Sequence, residues 1–188
     1  MIFPRIKPWQ ILAGIGVAGL VTLLFSKTFT ETLPKTGPRV PYGPPKPDNF
    51  RWPFDQIYSI SSYYGNRPDP FNKSKTEFHY GIDISAVLKT PVRAIADWTV
   101  LEAHKWNGTL TGINISGNYL RLQHPDGVMA SYVHLYAPPN LRVGQTGKKG
   151  DVVALVGNTG KSQGAHLHLR TRVNGEDRDP LTIIPRTI

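Results

Sequence analysis

The stretch Gly164-Ala165-His166-Leu167-His168-Leu169 sets two imidazoles one residue apart within a run of alternating apolar side chains. On a strand, residues i and i+2 leave from the same face. His166 and His168 therefore look one way, while Ala165, Leu167 and Leu169 look the other. Two ring nitrogens stand side by side on a stiff support.

Other segments share this character. Short β-rich stretches at 57–63, 81–85, 92–96, 99–103, 119–123, 129–134, 151–156 and 166–173 alternate with Gly, Asn, Asp and Pro turns, and no long helical periodicity is present. The expectation is a mainly β domain with an antiparallel sheet core, packed sheet on sheet or partly closed. No internal repeat is visible.

A second half of a site lies upstream in Phe78-His79-Tyr80-Gly81-Ile82-Asp83-Ile84. In a straight strand the Cα atoms of His79 and Asp83 would stand about 13 Å apart. That is too far for one zinc ion with bonds of about 2 Å. The chain must bend between them, and Gly81, flanked by residues poor in helix propensity, predicts a turn leading into a strand. Two His and one carboxylate, with water at the fourth position, is the open arrangement of a catalytic zinc.

His134, in Tyr132-Val133-His134-Leu135, ends a strand, and its spacing allows a third ligand, a catalytic group or a packed residue. If His79, Asp83 and His168 hold the metal, His134 and His166 remain as two imidazoles suited to acid and base work near neutral pH. His124 in Gln123-His124-Pro125-Asp126-Gly127 reads as a turn residue, as does Asn118. His104 has no evident partner. Arg67 is read equally as a contact for substrate carboxylates and as a local pairing residue. His-Glu-x-x-His, Gly-x-Ser-x-Gly and phosphate-binding glycine loops are absent, which excludes those templates. Gly157-Asn158-Thr159-Gly160 is read as a tight turn feeding the His-x-His strand.

Composition narrows the chemistry further. The 188 residues contain no Cys, so disulfides, thiolate metal clusters and a Cys nucleophile are excluded. The formal net charge is +9, with 6 basic and 2 acidic residues in 1–50 and 16 and 11 in 51–188. No long basic run points to nucleic acid, and an anionic surface such as a membrane or cell wall suits the charge.

The chain opens with Arg5, Lys7 and Trp9, then an apolar run over 11–25 in which Thr22 is the only polar side chain. The expectation is a cytoplasmic segment at 1–10 and a transmembrane helix at 11–25, with the N-terminus in the cytoplasm. A cleaved signal peptide competes, but residues 25–30 offer no small-x-small cleavage site. Residues 26–53, with prolines at 38, 41, 44, 45, 47 and 53, read as an extended linker. The domain is expected over 54–188.

In this order, the motifs resemble the lysostaphin/LytM-type zinc metalloendopeptidases, which cut peptide bonds in bacterial peptidoglycan. The matching pieces run from Tyr64-Gly65-Asn66-Arg67 through the His79, His134 and His166 motifs to Asp179-Pro180-Leu181. They include Gly117-Asn118-Tyr119-Leu120, Lys149-Gly150-Asp151 and Gly157-Asn158-Thr159-Gly160. The resemblance implies one zinc per chain on His79, Asp83 and His168, catalytic roles for His134 and His166, and peptidoglycan as partner. Degenerate members of the family lack ligands and regulate other hydrolases; here all five positions are filled, which points to an active enzyme, with a non-catalytic wall-binding regulator of another cell-wall hydrolase as the alternative function. Ala165 and Arg170 depart from the family's usual Pro and Glu. The expected placement is a single-pass membrane protein whose domain is periplasmic or extracytoplasmic, with a secreted or virion-associated hydrolase, or one serving a secretion machine, as alternatives. The bond cut, the oligomeric state and any protein partners are not legible.

Overall fold

The structure, a computed structural model, describes residues 45–188. The expected cytoplasmic segment 1–10, the membrane helix 11–25 and the linker up to residue 44 lie outside them. Among the described residues no helix is long and apolar enough to cross a membrane.

Twelve strands follow one another along the described chain: β1 (Ile60–Ser62), β2 (Gly65–Pro68), β3 (Thr76–His79), β4 (Ile82–Ser85), β5 (Pro91–Arg93), β6 (Trp98–His104), β7 (Asn118–Gln123), β8 (Val128–Leu135), β9 (Thr146–Gly147), β10 (Val152–Leu155), β11 (His166–Val173) and β12 (Glu176–Arg178). The main sheet runs β1-β4-β11-β8-β7-β6-β9, with β12 paired to β11, and two small pairs, β5-β10 and β2-β3, complete the set. Every pairing is antiparallel. The mainly β, antiparallel expectation is met.

The hairpins follow from turn chemistry. Asp126-Gly127 joins β7 to β8 and Asn174-Gly175 joins β11 to β12, and all four residues have positive φ. The two-residue turn at Asn174-Gly175 carries the twist that antiparallel strands need, and Asp126-Gly127 closes the longer connection 124–127.

Alternation sorts the main sheet into two faces. Ile82, Ile84, Leu120, Leu122, Ala130, Tyr132, Leu167 and Leu169 are buried on one of them. They form one core cluster with Val92, Ile95, Val153 and Val156, and with Ile183 and Ile184 near the C-terminus. Phe50, Trp52 and Phe54 belong to the same cluster, and the first two precede the boundary expected at residue 54. The stretch 49–54 holds one proline, Pro53, and its three aromatic rings are buried.

Candidate metal centre and groove

The face opposite the core carries the candidate site. Asp83 on β4 and His168 on β11 are direct register partners, so their side chains leave the sheet as neighbours. His79 ends β3, and the chain turns at Tyr80-Gly81 before entering β4. That turn is the bend the sequence required. At Gly81 an added Cβ would lie 2.5 Å from the Leu169 carbonyl oxygen and 2.9 Å from the His168 ring. Only glycine lets the turn pass under that ring.

Three donor atoms converge there. His168 Nδ1 lies 2.8 Å from Asp83 Oδ1, His79 Nε2 lies 3.0 Å from His168 Nδ1, and His79 Nε2 lies 3.2 Å from Asp83 Oδ1. Ligands of a tetrahedral zinc with bonds of about 2.1 Å stand about 3.4 Å apart, so the set fits the ion with a widening of a few tenths of an ångström. His79, Asp83 and His168 are the residues that could hold a metal.

The surroundings prepare these donors. His79 Nδ1 lies 2.8 Å from the Tyr63 carbonyl, which can only accept, so Nδ1 carries the hydrogen and the Nε2 lone pair faces the site. Arg67 donates to Asp83 Oδ2 at 2.8 Å, to Ser62 Oγ at 2.7 Å and to Glu77 at 2.9 Å. Of the two readings of Arg67, the structure shows local pairing. Burial raises the Asp83 carboxyl, but its close contacts with the His168 and His79 rings outweigh burial and hold the group well below the usual carboxylate range. Burial lowers His168 against the opposing pull of Asp83.

His134 and His166 stand beside the triad, with ring centroids 5.0 Å apart. His134 comes from a bulge. Leu120 pairs with Tyr132 but Asn118 pairs with Leu135, so two residues of β7 face three of β8. His134 has φ +62. Strict alternation would send it to the core with Tyr132; the bulge re-aims it to the groove. Its Nδ1 lies 2.7 Å from the Thr159 carbonyl, and His166 Nδ1 lies 2.8 Å from the Gly164 carbonyl. Both rings therefore have hydrogen on Nδ1, and His166 Nε2 stands 3.6 Å from Asp83 Oδ1. Burial, with His166 and His168 adding to it, pushes His134 down to about 4. It is therefore neutral at pH 7, with the hydrogen on Nδ1 and a lone pair on Nε2.

Four of the five expected site residues, Asp83, His134, His166 and His168, line one groove of about 740 Å3 together with Pro70, Phe71, Ile113 and Ile115, and the buried His79 meets Asp83 and His168 beneath it. The remaining polar residues sort differently. His124 is not a turn residue but a buried one; it donates from Nδ1 to the Asp97 carbonyl at 3.0 Å and faces the Tyr132 hydroxyl. His104 stacks on Tyr119 and contacts Asn114. Asn118 is buried; it accepts from the Trp106 amide and donates to the Leu135 carbonyl. Thr159, which sequence reasoning missed as a positioning residue, donates from Oγ1 to the Leu135 carbonyl at 2.8 Å and presents its own carbonyl to His134. The Gly157–Gly160 motif was the available signal. Arg170 pairs with Asp177.

Known proteins are similar to this chain in sequence and fold. The "DD-carboxypeptidase/endopeptidase Mpg" of Neisseria meningitidis is 36% identical over 124 residues, covering 66% of this chain and 26% of that protein. A zinc-containing peptidase from Vibrio cholerae superposes with a TM-score of 0.57 at 29% identity, covering 70% of this chain and 39% of that one. The catalytic domain of lysostaphin from Staphylococcus simulans gives 0.54 at 31%, covering 66% and 90%. The chain spans about a quarter of the length of the curated relatives it matches (26% in the first two). The sequence profile of Peptidase family M23 matches residues 77–180, a span that runs through all five converging side chains and takes in more than half of the 188 residues. The chain belongs to Peptidase family M23.

Proposed function

We propose that this chain is a zinc-dependent endopeptidase that hydrolyses peptide bonds in bacterial peptidoglycan. The observation that carries the reading is the facing of His79 Nε2, His168 Nδ1 and Asp83 Oδ1 beside two further imidazoles whose Nδ1 atoms are committed to backbone carbonyls. Zinc bound by the three donors would acidify a water towards neutrality and polarise the scissile carbonyl. His134, kept neutral by burial, takes up a proton at Nε2. His166 offers its Nε2 on the same side of Asp83; once protonated, it donates to negative charge developing on the substrate. Arg67 fixes the Asp83 carboxylate, and the loops bearing Phe71 and Ile113 frame the peptide.

The wall substrate rests on the likeness to lysostaphin and to the Neisseria DD-carboxypeptidase/endopeptidase. A membrane-anchored placement, with the domain outside the cytoplasm, rests on the apolar run 11–25 behind Arg5 and Lys7.

The test is digestion of purified sacculi by the full chain, with chelator and then zinc add-back, reading released muropeptides by mass. Chelator-sensitive release restored by zinc is the expected result. Zinc-loaded protein that releases nothing from several wall types would refute the hydrolase. His166→Ala should retain one zinc and lose release; loss of zinc would contradict its role outside the ligand set.

A further inference from the structure

Two arginines rise from the groove floor on the same face as the triad. Arg170 follows His168 by two residues on β11, about 7 Å further along the strand. It pairs in register with Ser131 on β8, which in turn pairs with Arg121 on β7. Arg170, Ser131 and Arg121 thus form one row across three strands. The two arginine Cα atoms stand about 10 Å apart, with a short side chain between them. Arg121, Ser131 and Arg170 all line the groove.

Both guanidinium groups are held in the same way. Arg170 donates from Nε and Nη2 to Asp177 at 2.6 and 2.8 Å and lies over the Tyr80 ring at 5.0 Å. Arg121 donates from Nη1 to Glu102 at 2.7 Å and from Nε to Ser131 Oγ at 3.4 Å, and lies over the Tyr119 ring at 5.6 Å. Each is clamped by one carboxylate and one tyrosine. Glu102 and Asp177 stand outside the groove lining, so the clamps hold from behind. Among the described residues, Arg170 Nη1 and Arg121 Nη2 have no protein acceptor, which leaves N–H groups of two oriented forks unspent. The groove lining has four cationic side chains, Arg67, Arg121, Lys161 and Arg170, against the anionic Glu77 and Asp83. An anion seated over Ser131 would accept from both forks without ordering either side chain further.

We propose that Arg121 and Arg170, flanking Ser131, form a carboxylate subsite that selects peptides with a free carboxylate about two residues' length from the bond at the metal centre. The proposal rests on the peptidase reading for its substrate class, but the subsite is a binding property and is read without turnover. A peptide in which that carboxylate is a carboxamide loses the anion and places an NH2 group against donors.

The test titrates the full chain, stripped of metal, with fluorescently labelled Lys-D-Ala-D-Ala as the free acid and as the C-terminal carboxamide. It then repeats the pair on zinc-loaded chain with cleavage monitored. We expect the acid to bind at least about tenfold more tightly than the amide, with a preference that shrinks as salt rises. Arg121→Gln with Arg170→Gln should erase the preference while zinc affinity is unchanged. Equal binding of acid and amide by the unmodified chain overturns the subsite, and that comparison depends on no variant folding. A preference that survives in the double variant overturns it as well. Preferential binding of the acid with no cleavage of any wall substrate supports the subsite and counts against the hydrolase reading alone.

Discussion

Replacing Gly81 by Ala tests whether the turn beneath His168 is as tight as the geometry implies. The new Cβ would lie 2.5 Å from the Leu169 carbonyl oxygen, 2.9 Å from His168 Cε1 and 3.0 Å from His168 Nε2. The Leu169 carbonyl belongs to β11, whose Leu169 pairs with Ile82 of β4, so it yields only by straining the sheet. The ring must retreat by about 0.5 Å to reach ordinary contact, which exceeds the roughly 0.2 Å tolerance of a zinc bond. Overpacking of this kind costs about 1–3 kcal/mol, and a misplaced ligand costs about 10- to 100-fold in metal affinity. Zinc affinity by competition with a chromophoric chelator, and the melting temperature of metal-free chain, read the two effects separately. A Gly81→Ala chain that binds zinc as tightly as the parent and melts at the same temperature would refute the close-approach argument.

Three further outcomes are expected. Arg67→Met releases Asp83 Oδ2 and should lower zinc affinity by about 10- to 100-fold; affinity within experimental error of the parent would show that Asp83 needs no such support. His124 has a folded pKa pushed down to about 4 by burial, against about 6.5 when unfolded. The unfolded chain therefore takes the proton first, and stability that is whole above pH 6.5 is lost as pH falls to 4, by about 3 kcal/mol. Urea unfolding of metal-free chain and of His124→Gln at pH 7.5 and 4.5 should show the larger loss in the parent, and parallel losses would contradict this. Trp52→Ala should destabilise by about 3–5 kcal/mol, because the side chain is wholly buried in the core; a near-neutral effect would return residue 52 to the linker.

Wherever strict alternation holds, the sequence was a good guide. Leu167 and Leu169 went to the core and His166 and His168 to the opposite face. The bend between His79 and Asp83 was legible because two ligands of one ion cannot stand 13 Å apart. His134 was not legible by spacing, because a bulge reverses its parity, and a bulge depends on the register of a partner strand. Resemblance assigned it where periodicity left three roles open. Arg67 stayed open because its partner Asp83 is 16 residues away, on another strand. Phe50 and Trp52 read as linker because prolines stand around them at 45, 47 and 53, while their burial depends on core partners distant in the sequence. Strands of two to four residues, such as β2, β3, β9 and β12, carry too few alternations to be read.

The carbonyls of Tyr63, Thr159 and Gly164 hold His79, His134 and His166 through Nδ1. These anchors belong to the peptide chain, so they have no side chain that a point mutation could delete. Substitutions at Tyr63 or Gly164 can drift while the orientation of each imidazole persists, provided the local backbone path survives; at Thr159 the hydroxyl bonded to the Leu135 carbonyl helps to hold that path. Errors in the protonation pattern of this site must instead enter through insertions and deletions that shift those loops. The site is therefore far more tolerant of exchanged letters than of a changed loop length.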